Sequence, residues 1–327
     1  MARSRAQEIQ EELLPHGYRL SIIDAHHHFW DLKKPGHWPW LQEAYDPNFF
    51  LGDYHAMIRE FMPKQYRDET AGWDIAATVH CQAERAREDQ VLEDEFCEKL
   101  NAETDGRFPA AAIGHVDFLQ DDVDQILAEH KKHEIVKGIR SKPKIAKTPD
   151  EPYGGKGTLD DPDWVAGLGK LEELDFEYDL RVPYYHLSQF AEILHDYPRL
   201  RVTVNHCGLP LDRSDAGLKI WRSGMKDLAR LDNVSVKISE LGVYPNRWLT
   251  ESNIQVVHDT FSIFGPERSM FATNMPVAVL TASTFDDVME TVLRGLGALT
   301  AEELDRVFYL NAAQTYGIDV ARLKLAQ

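Results

Sequence analysis

The chain is 327 residues long, 43% hydrophobic and 28% charged, with a formal net charge of −18 from 36 basic and 54 acidic residues. That composition excludes a disordered or coiled-coil chain as a global description, and the acidic excess makes nucleic acid and anionic membrane surfaces poor partners. Three widely spaced cysteines, Cys81, Cys97 and Cys207, make neither a disulfide framework nor a CxxC pair. The N-terminal stretch lacks the apolar centre of a signal peptide, and no run approaches the ~18 apolar residues of a membrane span. The expectation is a cytoplasmic protein acting on a small molecule, with homo-oligomerisation left open.

Residues 1–20 read as an N-terminal extension. From residue 21 onward a short apolar run followed by a longer amphipathic stretch recurs eight times. The expected strands are 21–29, 75–83, 110–118, 135–141, 176–184, 201–208, 233–241 and 269–277. The expected helices are 88–104, 121–133, 161–174, 187–197, 216–231, 250–264, 283–296 and 302–316, the third opened by Asp161 and Pro162. Alternating strands and helices imply a parallel sheet, and eight units a closed (β/α)8 TIM barrel forming one domain over 21–327. A doubly wound open sheet is the alternative; no glycine-rich dinucleotide turn follows the first strand, which counts against it and against a nucleotide cofactor. Two segments interrupt the pattern: 31–64, rich in Trp, Pro and Phe, and 142–160. Both follow a strand's C-terminal end, where a barrel keeps its active site, so they read as walls or lids, or else as surface decoration. The aromatics Trp30, Trp38, Trp40 and Tyr45 either stack on a ligand ring or pack the top of the barrel.

The sharpest chemical signal is DAHHHFW, residues 24–30. His26 and His28 lie two apart on an expected strand, so alternation sends both, with Asp24, to one face, while His27 faces the barrel wall. Two imidazoles converging at the end of the first strand can hold a divalent metal or hydrogen-bond a substrate oxygen. Other polar residues end later strands: His80 and Gln82 (VHCQAE), Arg140 (KGIR), His206 (VNHCGLP), Lys237 and Ser239 (VKISEL) and Asn274 (FATNMPV). Taken singly, His80 also reads as a core histidine, Arg140 as a rim ion-pair partner and Lys237 as a side chain snorkelling outward. Their recurrence at the same end of successive strands argues for catalysis.

In order along the chain, DAHHHFW, VHCQAE, KGIR, VNHCGLP, VKISEL, FGPERSMFATNMPV and NAAQTYGI resemble the amidohydrolase-related branch of the amidohydrolase superfamily, from about residue 22 to residue 318. That branch holds sugar-acid lactonases, such as L-fuconolactone and L-rhamnonolactone hydrolases, and 2-pyrone-4,6-dicarboxylate lactonase. The resemblance implies a barrel hydrolase that opens a lactone-like ring of a small sugar acid or aromatic-derived acid. Its catalytic residues would be His26, His28, His80, His206 and Asn274, and its substrate contacts Arg140, Lys237, Tyr184 and His186. A divalent metal such as zinc would sit on His26, His28 and His206. The chain departs from the pattern at Asn274, where many members carry an aspartate. An amide neither takes a proton near neutrality nor offsets a metal's charge. The metal-free version, with the histidines and Arg140 facing the oxyanion and His28 or His80 relaying the proton, is therefore favoured. Isomerisation, hydration or decarboxylation of a similar acid is the alternative, and beyond it a catalytically silent ligand-binding barrel.

Overall fold

Apolar runs without alternation need cover on both faces, and the structure supplies it. In the computed structural model, which describes residues 3–33 and 37–325, the strands are β1 (Ser21–His27), β2 (Asp74–Cys81), β3 (Ala111–His115), β4 (Val136–Arg140), β5 (Glu177–Leu180), β6 (Val202–Val204), β7 (Val234–Ile238) and β8 (Ser269–Phe271). They form one sheet in sequence order with every described pairing parallel. Closure comes just beyond β8. A parallel bridge joins His27 to Met275, the Asn274 N–H donates to the His26 carbonyl at 2.7 Å, and the His28 N–H donates to the Met275 carbonyl at 2.8 Å. The fold is a (β/α)8 TIM barrel.

A helix follows each strand: Pro63–Glu69, Leu92–Glu103, Val123–His130, Pro162–Glu173, Leu187–Leu194, Asp215–Ala229, Thr250–Phe264 and Phe285–Leu296. The last shows why these sequences curl onto the sheet. Thr284 and Asp287 close a capping box at its start, and Phe285, Val288, Met289, Val292 and Leu296 bury one helical face. Gly138 in the KGIR strand lets β4 and β5 approach, since a Cβ there would lie 2.6 Å from the Glu177 carbonyl oxygen. Among the described residues no helix is long and apolar enough to cross a membrane.

Three expectations need correction, and the N-terminal extension carries structure of its own. The N-terminal extension holds a helix, Arg5–Leu13, capped by Ser4 and Gln7 and tied to Glu290 through Arg5. The first long loop ends in the helix Pro63–Glu69, which has proline at its start. The closing helix is divided into Ala301–Asp305, a π-helical turn and Asn311–Thr315. β6 and β8 stop well short of residues 208 and 277, because His206, Cys207, Gly208 and Leu209 and then Asn274 take left-handed backbone angles that a strand cannot contain. Residues 34–36 of the first loop lie outside the described residues, as do residues 1–2 and 326–327.

Candidate active site

The strand ends where alternation breaks down are where the chemistry gathers. In β1, Asp24 pairs with Thr78 but His27 with His80, so β1 carries one extra residue between them. The bulge turns Asp24 away from His26, correcting the expectation that the two share a face. Asp24 is buried in the wall, accepting from Tyr66 Oη at 2.8 Å and Thr273 Oγ1 at 2.6 Å. Burial raises its carboxyl to about 6 against those hydrogen bonds. His27 packs in the same wall against Phe29 and Tyr66.

His26, His28 and His206 come together. The His26 ring centroid lies 5.1 Å from that of His28 and 4.6 Å from that of His206. His28 Nδ1 donates to the Cys81 carbonyl at 2.7 Å, which leaves Nε2 towards Asn274 Oδ1 at 3.1 Å. His206 Nδ1 lies 2.9 Å from Ser239 Oγ. Burial first, then neighbouring cations, hold all three imidazoles well below their usual pKa: Lys237 acts on His26, Arg140 on His28, and Arg181 with Arg140 on His206. Both effects favour the neutral imidazoles.

A cavity of about 110 Å³ opens above them, lined by His28, His206, Asn274, Arg140, Arg181 and Gln82 among others. Trp40, Phe49 and Phe50 of the first long loop complete its wall. The aromatic loop thus divides its labour, because Trp30 and Trp38 are buried in the core and Tyr45 stacks on Tyr54 and His55. Lys142 and Glu84, also at the wall, form an ion pair. Burial opposes ionisation of Glu84, but Lys142, His115 and Arg140 outweigh it and hold the carboxyl well below its usual range. A larger recess of about 760 Å³ lies at the opposite, N-terminal end, around Lys131, Glu134, Arg201 and Arg268. None of the residues singled out in the sequence lines it, and that end of a barrel serves stability.

Five of the site residues expected from the sequence, His26, His80, Lys237, His186 and Tyr184, do not line the cavity; His26 lies beneath it, packed against the His28 and His206 rings. Cys81 points inward, towards Asp179, so its neighbour His80 points out to the helices. His80 Nδ1 accepts the Phe29 N–H and Nε2 donates to Glu93 at 2.8 Å, which commits both nitrogens. Lys237 is fully buried beneath His26 and pairs with Asp179 at 2.6 Å. His186 accepts the Ala146 N–H and packs on Tyr153, bracing the second long loop. Tyr184 lies farther out, in a groove of about 660 Å³ that shares Phe49, Phe50 and Arg181 with the cavity. The sequence reading missed Asp179, Arg181, Glu84 and Glu240. Asp179 and Arg181 were visible, with Glu177, as charges in the expected fifth strand; Glu84 and Glu240 sat unread towards the ends of VHCQAE and VKISEL.

The donors can be weighed against a divalent ion. Three neutral imidazoles suit zinc by type, and His26 Nε2 is buried without a partner. The charges do not suit it. The Lys237 ammonium stands 3.5 Å from His26 Nδ1, Arg140 and Arg181 act on the other two rings, and the β8 residue is an amide. Among the described residues one group, His26, Cys81 and Asp179, brings donor atoms close enough to converge on an ion. It already holds a cation, the Lys237 ammonium on Asp179. The cations around the three rings and the amide at β8 oppose a dication bound there.

Histidines, a guanidinium pair and an amide at the C-terminal mouth of a (β/α)8 barrel define an enzyme of that fold. A family model described as amidohydrolase matches residues 23–318, and the chain belongs to that family. It is 29% identical over 300 residues to the uncharacterized protein y4mH of Sinorhizobium fredii, covering 91% of this chain and 99% of the relative. It is 26% identical over 307 residues to L-fucono-1,5-lactonase of Burkholderia multivorans, covering 90% and 96%. A crystal structure of an amidohydrolase from Burkholderia multivorans with bound zinc superposes with a TM-score of 0.73 at 23% identity over 91% of this chain and 99% of that one. At that identity the match shows the fold.

Proposed function

We propose that the protein hydrolyses the lactone ring of a small carboxylic acid, without a metal, in the cavity at the barrel mouth. The observation that carries this reading is the pair of guanidinium groups. Arg140 and Arg181 both line the cavity, neither has a carboxylate partner among the described residues, and Arg140 Nε is buried and unpaired. Burial and then Arg140 push Arg181 down to about 10, the strain of two like charges held together. A buried unpaired cation is costly, and an anionic ligand relieves that cost. The kinship with an L-fucono-1,5-lactonase supports a cyclic ester as the bond broken.

The residues divide the work as follows. His206, neutral and held at Nδ1 by Ser239, takes a proton from water at Nε2. The water oxygen bonds to the lactone carbonyl carbon, and Arg140 stabilises the resulting oxyanion. The ring C–O bond breaks as the imidazolium returns its proton to the leaving oxygen. The cations that depress the His206 pKa make its imidazolium a strong acid for that return. The product is a ring-opened hydroxy acid, which ionises to its carboxylate and releases a proton that a pH indicator can follow.

A panel of lactones with and without a carboxylate tests the reading. Acidic lactones should be turned over with higher kcat/KM than neutral ones of the same ring. Arg140→Lys should lower kcat/KM by about 10²-fold or more while leaving Tm near that of the wild type, because lysine cannot copy the planar fork. Equal turnover of neutral lactones, or unchanged kinetics in the lysine variant, contradicts the assignment.

A further inference from the structure

The cavity above the histidines is small for a whole substrate site. At about 110 Å³ it falls below the ~300 Å³ at which sites for organic ligands ordinarily begin, whereas the groove beside it, at about 660 Å³, lies within their range. The two are continuous, because Phe49, Phe50 and Arg181 line both. The Arg181 guanidinium lies 4.9 Å from the centre of the Phe50 ring, so a cation and an aromatic face meet where one space opens into the other. We propose that the groove is the outer part of the substrate site and takes an apolar, ring-bearing substituent of a lactone acid whose carboxylate lies on Arg140 and Arg181. The proposal rests on reading the barrel mouth as the hydrolytic site, and it names the class of substrate.

Segments that follow five different strands converge on the groove: Phe50 after β1, Ile145 after β4, Tyr184 and Tyr185 after β5, Leu211 after β6 and Tyr244 after β7. Barrel enzymes set their substrate choice with such segments. Two of the phenols have their hydrogen bonds committed. Tyr185 Oη donates to the Ala146 carbonyl at 2.7 Å, and the Tyr184 hydroxyl donates to Asp212, which also accepts the Ser214 N–H at 2.9 Å. What these tyrosines offer a ligand is the ring, which another ring meets edge-to-face or offset-stacked. Tyr244 is 63% exposed and Ile145 46%, in the same lining as the half-buried Phe49 and Phe50. Apolar surface gathered in one groove marks a binding site, because covering it removes that surface from water. Asn48, Lys147 and Thr148, polar residues of the same lining, are exposed, so water already serves them and a polyhydroxylated substrate gains little there. Positive charge at the cavity end and apolar surface along the groove match an acid that carries an aryl group rather than a sugar acid. Tyr184, read in the sequence as a substrate contact, takes that part in the groove.

Two lactones with the same ring and acid group, one bearing benzyl where the other bears methyl, test the proposal on the wild-type chain. The benzyl compound should show about tenfold higher kcat/KM or more. Tyr244→Ala and Ile145→Ser change different loops at exposed positions, where truncation costs little stability. Each should lower the benzyl-to-methyl ratio by about threefold or more. A binding readout needs no turnover. In ligand-observed NMR titrations 4-phenylbutanoate should bind about tenfold more tightly than butanoate or more, and both variants should narrow that gap. Gluconate, an acid rich in hydroxyls, should bind less tightly than 4-phenylbutanoate. Equal binding of the phenyl acid and butanoate, a gap that neither variant narrows, or gluconate bound as tightly as the phenyl acid overturns the proposal even if lactones are hydrolysed. A gap that both variants narrow sustains it even if no lactone is turned over.

Discussion

Lys237→Met should cost about 3–5 kcal/mol of stability, measured by urea unfolding, because it leaves Asp179 as an uncompensated charge in the middle of the barrel. Both residues are fully buried, 2.6 Å apart, and Asp179 also accepts the Tyr316 hydroxyl at 3.2 Å from below. The Lys237 ammonium lies 5.1 Å from the Tyr316 ring centroid as well. The cost belongs to the broken pair rather than to the lost lysine. The double variant K237M/D179N, which removes both charges and keeps an acceptor for Tyr316, should therefore recover most of it. A single variant as stable as the wild type, or a double variant no better than Lys237→Met, contradicts this account of the barrel interior. Activity separates the two variants further. With the ammonium gone from His26, neither variant should match wild-type turnover, even where the double variant regains stability.

Acid should destabilise the protein progressively as pH falls from about 6, with a net uptake on unfolding between pH 6 and pH 4 of roughly two more protons than exposed carboxylates account for. Five buried histidines carry the effect. Burial holds His26, His27, His28 and His206 well below 6.5 and lowers His115 to about 3. Folding favours their neutral forms, so their contribution is present above the unfolded pKa of about 6.5 and is lost as pH falls. Each loses about 1.4 kcal/mol per pH unit, and five together about 7 kcal/mol per unit, comparable to the whole stability of a domain. Three buried carboxyls act in the opposite sense. Burial raises Asp24 to about 6 and Glu177 and Glu240 to about 7. Folding favours their protonated forms, so their contribution is complete below their unfolded values near 4 and fades as pH rises through 6 to 7. Between about pH 6 and 4 the three carboxyls offset three of the five histidines, which leaves a loss of about 2.8 kcal/mol per unit. Below about 4 the unfolded carboxyls are protonated as well, and only the histidine loss continues. Stability measured against pH should fall gently to about pH 4 and steeply below it; stability that does not fall between pH 6 and pH 4 contradicts it.

The sequence announced the barrel because its strands are continuous apolar runs and its helices keep the 3.6-residue period, signals that local chemistry sets. It was less informative where backbone geometry departs from regular structure. The bulge in β1 adds one residue between Asp24 and His27, so period-2 counting sent Asp24 to the wrong face. On β2 the same counting put His80 beside Gln82, whereas Cys81 is the inward residue. Left-handed residues end β6 and β8 early, and neither Cys207 nor Leu209 announces such a conformation by its type. His28, His206, Asn274 and Arg140 were legible because each ends a strand at the same mouth. Asp179 and Glu240 were not, since one is matched by a lysine two strands away and the other accepts from an amide one strand away. Such partnerships are products of barrel closure and leave no local pattern.

Turnover of an acidic lactone by protein stripped with a chelator, with metal content measured on the same sample, tests the central claim most directly. The account predicts unchanged kcat/KM with metal far below one equivalent per chain, and no gain on adding zinc, because Lys237, Arg140 and Arg181 already supply the positive charge around the three histidines. Activity that vanishes on chelation and returns with one equivalent of zinc would contradict it and place the ion on His26, His28 and His206.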